Sequence, residues 1–292
     1  MLRTVAIVLS ILASAASPVL AQSPIQPRGG GDGLPVSQCQ AIAQGLPRAT
    51  YANFTPSTPL PVWRAQAGKS LAMAEKEQVK ITFVGHSTYF IETPGGIGIA
   101  TDYSGVHKPY RLPDVITMNR AHSTHYTLTP DPGIKTVLAG WGEMPGEKAQ
   151  HNVMVGDAYI RNVVSDIRNW GGGIEENGNS IFIFEVAGLC IGHLGHLHFE
   201  LNERQYTEIG RLDILMVPVD GGLTMGADSM SRVVQRLRSS LILPMHRFGP
   251  PLDSFLAMFD QKFDIAYAQD DVISVSMRSL PKRPTILVPK GL

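Results

Sequence analysis

The chain has 292 residues, with 25 Lys+Arg against 25 Asp+Glu, 43% hydrophobic residues and two cysteines. The apolar share suits a sizeable buried core. Zero formal charge speaks against a phosphate-tracking surface and so against nucleic acid as the main partner, and two thiols are too few for a disulfide scaffold or a four-thiolate zinc site. With 29 Gly and 21 Pro the composition fits a turn-rich α/β or β-rich chain, not a helical bundle. Nine histidines, three of them within residues 193–198, stand out.

In chain order, Arg3 followed by the apolar run 5–16 and the small residues up to Ala21 has the pattern of a cleavable secretory signal over residues 1–21. The run is short for a bilayer span, and no later stretch approaches 18 apolar residues. The expected location is therefore periplasmic or secreted, without a membrane span in the mature chain. Residues 22–78 form a leader, rich in Pro and Gly over 23–35, and an extension packed on the main domain, which occupies 79–292. An oxidising compartment permits a bridge between Cys39 and Cys190. Cys190 sits in an apolar run, though, where a lone cysteine reads first as a small buried hydrophobe, and spacing does not decide between them.

From residue 79 the pattern sharpens. Strands are expected at 79–84, 88–92 and 97–101, the last two joined by a turn at Pro94-Gly95-Gly96. Short strands follow at 114–118 and 136–139. A hairpin over 153–164 turns at Gly156-Asp157, and another, 181–186 with 189–191, turns at Ala187-Gly188. Buried strands are expected at 212–217 and 241–243, and a further strand at 272–275. Asn202 caps a helix over 203–209 that Gly210 stops. Apolar spacing predicts helices over 228–238 and 252–263. Many strands with a few helices imply a layered α/β sandwich.

Histidine recurs at strand ends. His122 and His125 follow the strand 114–118, His193, His196 and His198 follow 189–191, and His246 follows 241–245. A strand fixes one end of the loop after it, so side chains from several such loops can converge. Neutral imidazole is the commonest protein ligand for zinc and its neighbours, and this donor type favours Zn, Fe, Ni or Mn over Mg or Ca.

The stretches 81–92 (ITFVGHSTYFIE), Thr101-Asp102, the His122/His125 loop, 191–195, 213–219 and Pro244-Met245-His246 resemble, in the same order, the metallo-β-lactamase superfamily. The similarity is closest to the branch containing an ascorbate-phosphate lactonase and a phosphodiesterase of N-acyl ethanolamine phospholipids. The resemblance implies a four-layer αββα sandwich with its active site between the sheets at one edge. The family pattern His-x-His-x-Asp-His reads here Arg120-x-His122-x-Thr124-His125. A further family histidine falls near Ile167, and the bridging aspartate position holds His196. Carried over position by position, the resemblance leaves one divalent ion, most readily Zn with Mn or Fe as alternatives, on His122, His125, His196 and His246. His193 and His198 are reserves or orienting groups, His86 in Gly85-His86-Ser87 sits behind the ligands or serves as a hydrogen-bonding residue at a strand end, and Asp102 braces one of them or stabilises a turn.

Such an ion activates water for hydrolysis. Arg120 stands where the family has its first ligand, and either grips an anionic substrate group or forms a structural ion pair. Thr124 cannot act as a general base, which leaves Asp220 as the candidate carboxylate and Tyr126 as a donor to a developing oxyanion. Trp141, Trp170 and Met225 are candidates for the entrance or for simple packing. The expected activity is hydrolysis of a small ester, lactone or phosphodiester, the partner being a small and possibly anionic substrate. The alternative is a non-catalytic member of the fold that binds a metal or an anion.

Overall fold

The computed structural model describes residues 36–45, 77–169, 171–249, 252–259 and 262–292. The expected signal segment, most of the leader and Trp170 lie outside the described residues.

Two sheets make the body. The first is six-stranded in the order β13-β1-β2-β3-β4-β5 and the second eight-stranded in the order β12-β14-β11-β10-β9-β8-β7-β6. β1 (Val79–Gly85), β2 (Thr88–Glu92) and β3 (Gly98–Ala100) run antiparallel in turn, whereas β4 (Val115–Met118) and β5 (Thr136–Ala139) continue parallel to β3. In the second sheet β6 (Asn152–Val155), β7 (Ala158–Arg168), β8 (Ile174–Val186) and β9 (Leu189–His193) form an antiparallel meander. β10 (Ile214–Pro218), β11 (Leu241–Met245), β14 (Thr285–Val288) and β12 (Asp264–Tyr267) then lie parallel. β13 (Val272–Val275) closes the first sheet against β1. β9, β10 and β11 are buried along their whole length, as parallel strands covered on both faces are.

Inward residues of both sheets, among them Ile81, Ile91, Ile99, Phe184, Ile191 and Met216, fill the space between the layers. The outer face of the second sheet is covered by α2 (Glu203–Ile209), α3 (Ala227–Leu237) and α4 (Leu252–Leu256), through residues such as Ile209, Val233, Val234 and Phe255. Met225 belongs to that core and not to an entrance. The outer face of the first sheet is closed by Phe90, Tyr103, Ile116, Met118 and Ile134, with Tyr126 and Trp141 packed against them. Asn202 and Gln205 complete a reciprocal capping box on α2, and Gly210 ends it at a φ of 76°. The expected helix at 252–263 is shorter, because turns replace it after Leu256.

One expectation is corrected. Cys190 is buried, as its apolar run suggested, yet it is bonded to Cys39. The partner arrives on α1 (Gln38–Gly45), whose docking local sequence does not encode. The Cys39 carbonyl accepts from Arg211 N at 3.0 Å, and Gln40 Nε2 donates to Glu208 O at 2.7 Å. Beneath them the buried Arg161 holds Glu185 at 3.1 Å and donates to the α2 carbonyls of Glu208 and Ile209 at 2.8 and 2.6 Å. The bridge spans 151 residues and therefore restricts the unfolded chain strongly. Cys39→Ser should lower the unfolding free energy by about 2–4 kcal/mol, read from denaturant melts of oxidised wild type and variant. An unchanged midpoint would show that α1 docks without contributing.

Candidate metal centre

The parallel strands bring their carboxyl ends to one edge, where ligands collect in open α/β sheets. His86 follows β1, Asp102 follows β3, His122 and His125 follow β4, His193 ends β9 with His196 and His198 just beyond it, Asp220 follows β10 and His246 follows β11. His86, Asp102 and His246 adopt positive φ angles of 53°, 43° and 52°, a costly backbone state that clusters at functional sites.

One ring nitrogen each from His86, His122, His125 and His246 lies within 4.8 Å of the others. His125 and His246, from opposite sheets, face each other Nε2 to Nε2 at 3.1 Å. Behind them, His125 Nδ1 lies 2.8 Å from Asp102 Oδ2 and 3.0 Å from Ser87 Oγ, while His246 Nδ1 lies 2.8 Å from Asp220 Oδ2. Each carboxylate favours a proton on the nitrogen beside it, which leaves the two facing Nε2 atoms with lone pairs aimed at one another. A cation between them relieves that repulsion, and the spacing suits two ligands of one ion with nitrogen bonds of about 2.0–2.1 Å. The residues therefore fit a metal.

Both carboxylates are prepared to stay ionised. Burial pushes Asp220 up, but His246 and the N–H groups of Gly222 and Thr224 outweigh it and hold the group at about 2. Asp102 is fully buried, yet His193, His125 and Asn119 bring it below its usual value. Asn119 Nδ2 donates to Asp102 at 2.7 Å while its Oδ1 accepts from Ser180 N at 2.7 Å, tying the two sheets together. Asn179 Oδ1 accepts from His196 N at 2.8 Å. Between these amides passes Gly195 at a φ of 61°, where a Cβ would run into both side chains.

The expected site residues separate into groups. His122, His125 and His246 converge, and His86 joins them more closely than its assignment behind the ligands implied. His196 reaches His122, Nε2 to Nε2, at 3.1 Å, and its Nδ1 lies 2.7 Å from His198 Nε2. His193 is buried away from the cluster, its Nε2 donating to Ser87 O at 2.9 Å. Asp220 is not placed as a free base, because Oδ1 accepts from Gly222 N and Thr224 N at 2.9 Å and Oδ2 faces His246. Arg120 takes the ion-pair role, with Nε 3.1 Å from Glu175. Tyr126 packs edge-on against Trp141 at 5.5 Å. Thr124 Oγ1, between His122 Nδ1 at 2.7 Å and His86 Nε2 at 3.0 Å, proves to be a spacer of the rings.

A cleft of about 550 Å³ opens beside His122, His196 and His198 and is walled by Arg168, Asn169 and Leu223. Arg168 Nη2 donates to the carbonyls of Gly222, Leu223 and Thr224, pinning the loop after β10 to the end of β7. Asn119, Asn179 and Arg168 went unnoticed in the sequence; only the position of Asn119 directly behind the strand before His122 marked it.

The family model for the beta-lactamase superfamily domain matches residues 80–246, and the chain belongs to that superfamily. A metal-dependent hydrolase of Pyrococcus furiosus is 26% identical over 196 residues, covering 60% of this chain and 87% of its own. One from Thermococcus kodakarensis is 24% identical over 216 residues, covering 65% and 96%. Among solved structures, a Thermotoga maritima protein assigned as a Zn-dependent hydrolase of the metallo-beta-lactamase superfamily is 27% identical with a TM-score of 0.52, covering 72% of this chain and 98% of its own.

Burial chiefly, with neighbouring rings adding, lowers His86 to about 3 and His122 to about 4. Burial and then Arg168 lower His198 to about 4. In the unfolded chain the same rings take protons near 6.5, so from about pH 6.5 down to about 3 the unfolded state binds more protons. Stability of metal-free protein should fall steadily as pH drops from about 6.5 to about 3, as read from urea midpoints in a chelator. His122→Gln with His198→Gln should flatten the decline. A pH-independent wild-type midpoint would mean that the rings are charged when folded.

Proposed function

We propose that the protein is an exported hydrolase of a small ester, lactone or phosphodiester, working with one divalent ion, most readily zinc. The paired Nε2 atoms of His125 and His246, 3.1 Å apart with their Nδ1 atoms on Asp102 and Asp220, carry this reading. His122 supplies the third nitrogen and His86 stands beside them, a set that leaves room for substrate as catalytic three-ligand sites do. Relatives described as metal-dependent hydrolases support the class, and the solved relative assigned as Zn-dependent supports the metal. Such an ion, when bound, supplies Lewis acidity and lowers the pKa of water.

The chain's own groups do the rest. Asp102 and Asp220 fix the orientation of His125 and His246. Among the described residues the cleft wall holds a cation, Arg168, and no carboxylate, which suits neutral or anionic substrates. Export accords with the Cys39–Cys190 bridge, since disulfides persist in oxidising compartments. The hold of Gly222 and Thr224 on Asp220 Oδ1, with Oδ2 turned to His246, favours one competing reading, a site that binds metal or anions without turnover.

Metal analysis of the purified full chain should give about one equivalent of zinc. His125→Ala and His246→Ala should lose it, and Asp220→Asn should weaken it about 10–100-fold. Generic esters, lactones and phosphodiesters should then show turnover that a chelator abolishes and zinc restores. Stoichiometric metal with no turnover under several metals would establish the binding reading, and metal retained by both alanine variants would remove the site.

A further inference from the structure

We propose that His196 is a fixed hydrogen-bond donor, with its proton on Nε2, which points at the carbonyl or phosphoryl oxygen of a substrate in the cleft instead of ligating the ion. The inference deepens the hydrolase reading and rests on it for the substrate, but its structural half stands on hydrogen bonds alone.

The chain of protons starts from a backbone group. The Arg168 amide N–H donates to His198 Nδ1 at 2.5 Å. A ring nitrogen that accepts from an amide carries no hydrogen, so the neutral His198 ring has its hydrogen on Nε2. That Nε2 lies 2.7 Å from His196 Nδ1, which must accept. Neutral His196 then carries its own hydrogen on Nε2, the atom that lies 3.1 Å from His122 Nε2 and on the wall of the cleft. The reverse arrangement, a hydrogen on His196 Nδ1, would force His198 to accept at Nε2 and to present Nδ1–H to the Arg168 N–H. A doubly protonated His196 meets the same conflict at His198. The backbone donation from Asn179-held His196 N fixes the main chain beneath the ring, so the ring is buried at 3% exposure and aimed by both neighbours.

A ligating imidazole needs a lone pair on the nitrogen that meets the metal, and which nitrogen offers one is set by the partner of the other. Behind His125 and His246 stand carboxylates, so their Nε2 atoms offer lone pairs. Behind His122 stands the Thr124 hydroxyl, which can accept from Nδ1–H and leaves Nε2 able to ligate. Behind His196 stands a donor, and that one difference changes its role. Once His122 turns its lone pair to the ion, the His196 N–H is left facing the cleft, where an oxygen that gains negative charge during hydrolysis is its natural partner.

The test uses the full chain. Nitrogen-15 spectra of the histidine rings, without metal and with one equivalent of zinc, should show His196 protonated at Nε2 and bare at Nδ1 in both states, with His125 and His246 protonated at Nδ1. His196→Ala should keep its zinc affinity within about 3-fold. On any ester, lactone or phosphodiester that the wild type turns over, it should lose about 10²–10³-fold in kcat with little change in KM. His198→Phe removes the donor behind His196 and should release its proton to either nitrogen in the same spectra. A His196 ring with hydrogen on Nδ1 and zinc on Nε2, or loss of zinc in His196→Ala with its thermal melt unchanged, would overturn the proposal. A wild type that takes up no zinc would instead defeat the metal reading, and the ring spectra of the metal-free chain would still decide the placement of the proton.

Discussion

Asp102 and Asp220 reach the same seam from opposite sheets, both buried and both held below the usual carboxylate range. A buried ionised carboxylate is costly unless donors and positive charge compensate it. Asn119 and the amides of Gly222 and Thr224 supply part of that compensation, and the Nδ1 atoms of His125 and His246 supply more. The rings cannot complete it by both becoming imidazolium, because two Nε2–H groups would then meet across 3.1 Å. A divalent ion held by the two Nε2 atoms would balance two negative charges and would remove the collision. Fold stability and metal affinity are coupled through this seam, as they are wherever a site is built from buried ionisable groups.

The same constraint explains why so much of the chain is spent on holding rings. Ser87 contributes its hydroxyl to His125 and its carbonyl to His193, and the His193 ring accepts in turn from Gly195 N. Asn119 and Asn179 bracket Gly195, so the turn that delivers His196 is set by amides from both sheets. The left-handed backbone at His86, Asp102 and His246 is tolerated because each of these residues is fixed by partners beyond its own loop.

Much of this was legible in the sequence. Strand-end histidines at 122, 125 and 246 announced the convergence, since a buried strand of continuous apolar residues followed by a polar loop is a local pattern. Both hairpins and the Asn202 cap were readable for the same reason. The extension of β8 back to Ile174 was not, because its outer half is polar and paired by register with β7. β12 and β14 are short, partly exposed parallel strands, given meaning only by their neighbours. The bonded state of Cys190 depends on α1, more than a hundred residues away. The roles of Asp220 and His196 depend on which atom stands behind a ring, and side-chain partners across two sheets leave no trace in spacing.

The departures from the family pattern support a single ion when they are set against this charge balance. A second divalent ion needs further negative ligands, and the two positions where the resemblance expects aspartates hold Thr124 and His196. Thr124 is neutral and occupied between His122 and His86, and His196 has its Nδ1 committed to His198. The place of a further family histidine falls near Ile167, which is buried at 2% exposure and offers no donor atom. Arg120, where a first ligand would stand, adds a positive charge already matched by Glu175. Each change subtracts charge or coordination from one side of the seam while Asp102, Asp220, His125 and His246 keep the other intact. One dication would match the two buried carboxylates, which favours the proposed single ion, whereas a second would sit among neutral rings and beside a guanidinium with nothing to offset it.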